Sequence, residues 1–181
     1  MRLIVEGGPW SGKTWLCNEL SKKYNVPVWK FNPLEICDFH VRETLMKNIN
    51  EKMFQMVNIL KPDIIFDRFH LSEIIMSKVL NRKVDAEYYW NLDKLLAKAG
   101  CKMIYIKADS DLIRKRLNVR EKRSFDKLLE PLLPQIQYEY DMAIRQTKIP
   151  FRIFNSQSDT TEKGNIKEWL EGCDNKWRKT S

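Results

Sequence analysis

Residues 7–14 read GGPWSGKT and fit the pattern G-x-x-x-x-G-K-[ST] at every fixed position. The apolar run LIV at residues 3–5 predicts a buried strand directly before this stretch, and apolar residues at helical spacing predict a helix over residues 13–24 directly after it. Backbone N–H groups of such a loop, together with the helix N-terminus, point at phosphate oxygens. The motif in this setting predicts a phosphate loop that binds a nucleoside triphosphate.

The loop supplies the residues expected to hold the donor nucleotide. They are glycines, which let phosphate approach the backbone, and polar side chains: Gly7, Gly8, Ser11, Gly12, Lys13 and Thr14. The Lys13 ammonium is expected to reach the β- and γ-phosphates, and the Thr14 hydroxyl to bind Mg²⁺. The alternative is a glycine-rich turn with an accidental lysine, and the predicted strand and helix on either side argue against it.

Strands and helices alternate along the rest of the chain. Apolar runs predict strands at residues 26–31, 64–66, 103–106 and 151–154. Helical spacing predicts helices near residues 45–60, 71–80, 85–99, from 109 onward, 129–144 and 166–170. Gly100 predicts a helix end, whereas Pro131 and Pro134 predict that the helix near residues 129–144 starts late or bends. The alternation implies a single α/β domain over residues 1–181, with a parallel sheet covered on both faces.

Length and composition exclude several classes of protein. The chain has 181 residues, 43% of them hydrophobic and 31% charged, which is globular composition for one domain. No apolar run approaches the ~18 residues of a membrane span. The opening MRLIVE has only the apolar run LIV before an acid, whereas a signal peptide needs an apolar region of ~7 to 15 residues. We therefore expect a cytoplasmic protein that does not bind membranes. The four cysteines have no C-x-x-C spacing, so we expect reduced thiols.

Charge is concentrated in one segment. The net charge of +8 indicates an anionic partner. Residues 102–123 hold eight basic and three acidic residues, so this segment carries five of the eight net charges. Nucleic acid, a membrane surface and a small phosphate compound would each suit that charge.

Two classes of P-loop protein need further motifs that this chain lacks. A GTPase needs the guanine-reading N-K-x-D, and the nearest text, NRKVD at residues 81–85, is out of register and follows a predicted helix. A large ATPase motor needs a longer chain and a strand that ends in paired acids, which IIFDR at residues 64–68 does not offer. A small kinase is therefore the favoured class.

Three blocks carry a resemblance to a known superfamily. Residues 6–14, the stretch FDRFHLSE at residues 66–73 and RLNVR at residues 116–120 resemble the thymidylate kinase and deoxynucleoside kinase superfamily, and most of all the thymidylate-kinase-like proteins of phages and bacteria. The resemblance implies a three-layer P-loop kinase fold with a five-stranded parallel sheet in the order 2-3-1-4-5. It also implies that ATP, with Mg²⁺, donates a phosphoryl group to a nucleotide or a nucleoside.

The resemblance implies roles for the residues that end the third predicted strand. Asp67 would lie near the Mg²⁺, Arg68 would hold the phosphate end of the acceptor, and Phe69 would line the pocket for its base. Position supports the first two roles, because the carboxyl ends of strands in open α/β folds form the ligand-binding edge. A surface ion pair is the alternative for Asp67 and Arg68. His70 and Ser72 are more often structural at such positions.

The basic segment would form the lid of the family, over about residues 114–126. Arg116, Arg120 and Arg123 match its R-[IL]-x-x-R pattern, whose arginines close over the transferring phosphoryl group. The spacing of four residues places Arg116 and Arg120 on one helical face, and guanidinium groups suit phosphate oxygens. A solvated basic helix is the alternative interpretation.

Aromatic residues are candidates for stacking on the base of the acceptor. Phe31, Phe69, Tyr138 and Tyr140 lie near family positions of this kind, although aromatics at helical spacing are also typical of a core. Met76 occupies a position where relatives often carry Tyr, so a preference for thymine does not follow from the resemblance.

Two departures from the family bear on the acceptor. Pro9 stands where thymidylate kinases usually carry an acid in the loop. Asn32 stands where deoxynucleoside kinases carry the Glu that deprotonates the 5′-hydroxyl. An asparagine amide has no usable basicity, whereas a monophosphate acceptor is already anionic and needs no base. The substitution favours a nucleotide over a nucleoside as acceptor.

The leading hypothesis is a kinase of (deoxy)nucleoside monophosphates, small molecules that the chain would phosphorylate with ATP. Its catalytic residues would be Lys13, Asp67, Arg68, Arg116 and Arg120. A deoxynucleoside kinase with Glu35 or Asp67 as the base is the second hypothesis. A protein that binds nucleic acid or phosphorylates its ends is the third and least favoured. The long second helix would suit a homodimer interface, as in the family.

Overall fold

The computed structural model describes residues 1–30, 39–119 and 124–156. Its sheet has five parallel strands in the order β2-β3-β1-β4-β5, as the resemblance implies. The strands are β1 Arg2–Gly7, β2 Val28–Lys30, β3 Ile64–Asp67, β4 Lys102–Lys107 and β5 Phe151–Asn155. Each predicted strand is present, but β2 begins only at Val28 because the preceding Pro27 has no N–H for a ladder hydrogen bond.

Seven α-helices accompany this sheet within the described residues. They are α1 Lys13–Tyr24, α2 Phe39–Ile59, α3 His70–Val79, α4 Ala86–Lys98, α5 Ser110–Asn118, α6 Ser124–Leu129 and α7 Leu133–Gln146. The helix predicted near residues 166–170 lies outside the described residues. No helix in the part of the chain that the structure describes is long and apolar enough to cross a membrane.

The two prolines divide the helix predicted near residues 129–144. α6 ends at Leu129, a 3-10 turn spans Glu130–Leu132, and α7 begins at Leu133. Pro131 and Pro134 each lie in the first turn of a helical segment, where an N–H would have no helical partner. The late start of α7 is therefore confirmed, and a short separate helix precedes it.

Side chains alternate along the central strand β1 and divide the core into two layers. Leu3 and Val5 belong to a buried cluster with Leu16 of α1. Ile4 belongs to a second cluster on the opposite face, which contains residues of α2, α3, α4 and α7. Helices thus cover both faces of the sheet, which confirms the three-layer α/β fold and explains the nearly continuous apolar run in β1.

Residues at its two ends explain where α4 begins and where it stops. The carboxylate of Asp85 caps the helix by accepting a 3.0 Å hydrogen bond from the backbone N–H of Tyr88. The helix ends before Gly100, which adopts φ 76 in the left-handed region. The predicted glycine stop is confirmed.

A buried polar cluster joins α3, α4 and the segment before β5. Asp93 Oδ1 lies 2.8 Å from His70 Nε2 and accepts a 2.6 Å hydrogen bond from Thr147 Oγ1. Its other oxygen accepts a 2.6 Å hydrogen bond from the backbone N–H of Lys148. Burial alone would raise the pKa of Asp93, but these hydrogen bonds outweigh burial and hold the pKa below its usual range. The side chain of His70 is therefore engaged in packing these segments together.

Cys17 and Cys101 are buried free thiols. Burial raises the pKa of Cys101 to about 11, so this thiol stays protonated at neutral pH. Neither side chain has the exposure or the thiolate character of a reactive cysteine.

Candidate active site

The phosphate loop connects β1 to α1 at the carboxyl edge of the sheet. Gly7 ends β1 with φ 148, and a Cβ atom there would lie 2.5 Å from the carbonyl oxygen of Ile106 in β4. Gly12 has φ 102 directly before α1. Both glycines adopt conformations that residues with a side chain rarely adopt, so the backbone itself requires the glycines of the motif.

Lys13 begins α1 and its side chain folds back over the loop. It is 4% exposed, and Nζ donates hydrogen bonds to the Gly8 carbonyl oxygen and, at 3.2 Å, to Ser11 Oγ. Burial, followed by the nearby charge of Arg68, holds the pKa of Lys13 well below its usual range. A phosphate bound in the loop would supply the negative charge that favours the ammonium form.

Thr14 is joined to the end of β3. Its Oγ1 donates a 2.5 Å hydrogen bond to Asp67 Oδ2. The parallel pairing of β1 and β3 aligns Val5 with Asp67 and so places this carboxylate beside the phosphate loop. Asp67 Oδ1 is buried and has no hydrogen-bond partner among the described residues.

The Thr14 and Asp67 oxygens suit a hard cation. The described residues contain no group of three or more His, Cys, Asp or Glu side chains that could hold a metal ion. Mg²⁺ is commonly held by one or two carboxylates together with waters and substrate phosphates, so it does not need such a group. The unpartnered Oδ1 atom of Asp67 fits a cation that arrives with a nucleotide.

Arg68 has an unusual backbone conformation next to this pair. Its φ is 73, in the left-handed region, and its backbone N–H donates a 3.0 Å hydrogen bond to the Val5 carbonyl oxygen. Its Nη1 atom is buried and has no hydrogen-bond partner in the described ranges. Arg68 also lies close enough to Lys13 to lower the pKa of that residue. A buried lysine and a half-buried arginine at one sheet edge favour the binding of an anion.

Glu6 is the residue of this region that the sequence did not single out. Its side chain is fully buried and accepts hydrogen bonds from the backbone N–H groups of Phe69, at 2.9 Å, and Ser72, at 3.3 Å. Ser72 Oγ donates a further hydrogen bond to Glu6 Oε2 at 2.5 Å. The available signal was an ionisable residue at the end of an otherwise apolar buried strand.

Arg116 reaches the phosphate loop from α5. Its two terminal nitrogens donate hydrogen bonds to the Trp10 carbonyl oxygen and to Ser156 Oγ, both at 2.8 Å. A Cβ atom on Gly12 would lie 3.7 Å from Arg116 Nη1, so the guanidinium lies against the loop. Burial lowers the pKa of Arg116. Its neighbours Arg114 and Lys115 are exposed, which sets Arg116 apart within the basic segment.

Some predicted site residues fall outside the structure. Arg120, Arg123 and Phe31 lie outside the described residues, as do Asn32 and Glu35. The roles predicted for them in the lid and at the acceptor stay predictions.

The aromatic candidates differ in their environments. Phe69 is 1% exposed and stacks on Phe66 with ring centroids 4.9 Å apart. Tyr140 is fully buried, lies 2.8 Å from Ser72 Oγ and stacks on Tyr105. Tyr138 is 60% exposed on α7. The base-binding role predicted for Phe69 and Tyr138 stays a prediction.

The strand order and the phosphate loop together define a P-loop protein with the fold of the nucleotide kinases. No protein-family model matches the chain. YorR, an SPbeta prophage-derived uncharacterized protein of Bacillus subtilis (strain 168), is 31% identical over 138 residues, which cover 71% of this chain and 77% of YorR. The chain belongs to the same protein family as YorR.

Solved structures support the fold. The crystal structure of Bacillus subtilis YorR in complex with phosphorylated GDP matches with a TM-score of 0.71 and 22% identity, over 97% of this chain and 98% of that one. Deoxyadenosine kinase from M. mycoides with bound dATP has a TM-score of 0.66 and 21% identity, over 96% and 100% of the two chains. Thymidylate kinase from Candida albicans has a TM-score of 0.61 and 18% identity, over 96% and 91%.

Proposed function

We propose that the chain is a kinase that transfers the γ-phosphoryl group of ATP to a (deoxy)nucleoside monophosphate and gives the diphosphate and ADP. One observation carries the proposal: at one edge of the sheet, Lys13 and Arg68 lie close together. Thr14 and Asp67, which share a hydrogen bond, lie at the same edge. In the reaction an oxygen of the acceptor monophosphate bonds to the γ-phosphorus, and the bond from that phosphorus to the β–γ bridging oxygen breaks.

The donor site consists of the loop and α1. Lys13 is buried at the start of α1, with its ammonium directed to Gly8 and Ser11 inside the loop. ATP phosphates would replace these contacts, and the fixed ammonium would oppose the charge that develops on the β- and γ-oxygens. Arg116 would act at the same phosphates from the other side, because its guanidinium already lies against the loop at Gly12.

The Thr14 hydroxyl and the Asp67 carboxylate would hold Mg²⁺. Mg²⁺ held there would supply positive charge that neutralises the phosphates during transfer. Thr14 and Asp67 fix the position of their oxygens through their mutual hydrogen bond at 2.5 Å. Thr14 lies in the first turn of α1 and Asp67 at the end of β3, so the two oxygens are held by a helix and a strand rather than by a loop alone.

Arg68 would bind the phosphate of the acceptor. A buried guanidinium nitrogen without a partner among the described residues is costly, and an anionic ligand would satisfy it. The same position beside Lys13 would bring acceptor and donor phosphates together, which is most of what phosphoryl transfer requires. The asparagine at position 32 supports a monophosphate, since it offers no base for a hydroxyl acceptor.

A deoxynucleoside kinase is the second candidate. The fold likeness to the M. mycoides deoxyadenosine kinase favours it, and the unpartnered Oδ1 of Asp67 could accept a proton from a 5′-hydroxyl. The two candidates differ in the acceptor alone, so one assay separates them.

The test is an acceptor screen with Mg-ATP over the common nucleosides and their monophosphates. Guanine nucleotides come first, because the YorR crystal structure contains phosphorylated GDP. We expect at least one monophosphate to react about tenfold or more faster than the matching nucleoside, since only the nucleoside needs a base. Faster phosphorylation of a free nucleoside would replace this proposal with the second candidate.

A further inference from the structure

Glu6 belongs to β1, and its side chain lies at the N-terminus of α3 rather than in the phosphate loop. α3 begins after Phe69, whose side chain provides no capping hydrogen bond. The first N–H groups of a helix have no partner within the helix. Glu6 Oε1 accepts from two of these groups, those of Phe69 and Ser72. A residue of β1 thus caps a helix that begins more than 60 positions later in the chain.

The surroundings of Glu6 explain why a carboxylate tolerates full burial there. Ser72 Oγ donates to Oε2 at 2.5 Å, and the Tyr140 hydroxyl lies 3.5 Å from the same oxygen. The positive end of the α3 dipole also faces the carboxylate. Both carboxylate oxygens therefore have hydrogen-bond donors, which a buried charge requires.

The capped segment contains Arg68. The residue before it, Asp67, is fixed in the sheet by β1, and the residue after it, Phe69, is fixed by the bond to Glu6. Between these two anchors the backbone of Arg68 adopts φ 73, which L-residues rarely adopt. The surrounding structure must stabilise such a conformation. Glu6 contributes by accepting a hydrogen bond from the N–H of Phe69, the residue that directly follows Arg68.

We propose that Glu6 is a positioning residue for the acceptor: by capping α3 from β1 it holds Arg68 in the left-handed conformation that presents its guanidinium to the acceptor phosphate. The proposal rests on the proposed function for the identity of the acceptor. Glu6 itself forms hydrogen bonds with Phe69 and Ser72 at the start of α3 and with Tyr140 of α7, and it need not touch the substrate.

The test is a double-mutant cycle on the acceptor found in the screen. Glu6→Gln keeps the size of the side chain but leaves one oxygen instead of two to accept hydrogen bonds. We expect it to raise the KM of the acceptor about tenfold or more, the scale of one weakened charge-assisted contact, with less than about a twofold change in the KM of ATP. In an Arg68→Ala background, Glu6→Gln should have little further effect on the KM of the acceptor.

Glu139→Gln is the matched control. Glu139 is a nearly buried carboxylate on α7 that accepts a 2.6 Å hydrogen bond from Lys78, at the opposite end of α3. The chemical change is the same, but the backbone around Arg68 is not involved. Its KM for the acceptor should stay within about twofold of the unmodified protein.

Ser72→Ala is the milder variant if Glu6→Gln does not fold. It removes the hydroxyl donor to Glu6 and leaves both backbone N–H contacts. We therefore expect a smaller rise in the KM of the acceptor than for Glu6→Gln. In the Arg68→Ala background, this rise should also disappear. Independent effects of the Glu6 and Arg68 substitutions, or an equal rise in both KM values, would overturn the proposal.

Hydrogen exchange separates this proposal from the proposed function. The amides of Phe69 and Ser72 should lose protection in Glu6→Gln while those in the middle of α3 keep it. An unmodified protein that phosphorylates no monophosphate would refute the proposed function. The capping role of Glu6 would then be judged by these two amides, and unchanged protection would refute it as well.

Discussion

The hydroxyl of Thr14, in the first turn of α1, and the carboxylate of Asp67, at the end of β3, are 2.5 Å apart and joined by a hydrogen bond. The contact fixes the first turn of α1 to the end of β3. It also brings together two oxygens that a cation could share. If the pair holds Mg²⁺, substitutions at Thr14 should change the Mg²⁺ concentration that the enzyme needs for activity.

Thr14→Val should raise the Mg²⁺ concentration needed for half-maximal activity, because the isosteric side chain has no oxygen to offer. Thr14→Ser keeps the hydroxyl and should behave within a few-fold of the unmodified protein. We expect a loss of about tenfold or more in apparent Mg²⁺ affinity for Thr14→Val, on the scale seen when a metal site loses a contact. Titration of Mg²⁺ at fixed ATP measures it, and equal behaviour of the two variants would exclude a metal role for the hydroxyl.

Lys13→Met should lower turnover by at least about 10²-fold, since it removes a charge that stabilises the transferring phosphoryl group. Lys22→Met is the control on the same helix, because the Lys22 side chain is 80% exposed. Steady-state assays and thermal melts on both variants separate a loss of catalysis from a loss of fold. Near-normal turnover in Lys13→Met would contradict the kinase assignment.

Arg116→Ala should lower kcat more than it weakens ATP binding if the guanidinium acts mainly in the transition state. Lys115→Ala, one position away and exposed, is the matched control. If the basic segment bound nucleic acid instead, both variants would weaken oligonucleotide affinity and reduce its salt dependence. Salt-dependent oligonucleotide binding together with undamaged turnover in Arg116→Ala would favour that third function.

Asp93→Asn should destabilise the fold at neutral pH by about 1–3 kcal/mol, the cost of impaired buried hydrogen bonds. Because the pKa of Asp93 lies below its usual range in the folded state, the ionised group stabilises the fold above the unfolded pKa of about 3.9. This stabilisation is lost as pH falls through the folded pKa. The stability difference between the two proteins should therefore shrink below about pH 4 in urea unfolding experiments, whereas exposed Asp111→Asn should show no such difference.

Asn50→Leu should stabilise the protein. Asn50 lies on the buried face of α2 between Met46 and Met53, and neither atom of its amide has a partner among the described residues. An unpaired buried amide costs about 1–3 kcal/mol, which an apolar side chain of similar size would recover in part. Asn58→Leu, exposed on the same helix, is the control. A marked loss of stability in Asn50→Leu would show that the amide is satisfied after all.

Local patterns predicted most of the fold. The phosphate loop, the five strands and the glycine stop at Gly100 follow from motifs and periods that lie within about 20 residues of sequence. The strand order came from the family resemblance, because no local pattern encodes which parallel strands are neighbours. The break into α6 and α7 was foreseen only as a late start, since prolines show where a helix can begin but not whether a turn of helix precedes it.

The candidate site was predictable only where its residues belong to a motif. Lys13, Asp67 and Arg68 were found because the motif or the strand end marks them. Glu6 was not, since its partners lie more than 60 residues away and a single acid in a strand has no characteristic spacing. The sequence favoured a structural role for His70 but did not predict its contact with Asp93, because that contact exists only after α3 and α4 pack together.

The contact of Glu6 with Tyr140 ties together residues 134 positions apart in the chain. Native contacts of such long range form late in folding, because the entropy of closing the intervening loop must first be overcome. The segment that carries Arg68 is thus tied to both the first strand and the last described helix. A chain released from the ribosome before α7 has emerged would contain the whole phosphate loop and still lack one of the groups around the carboxylate that caps α3.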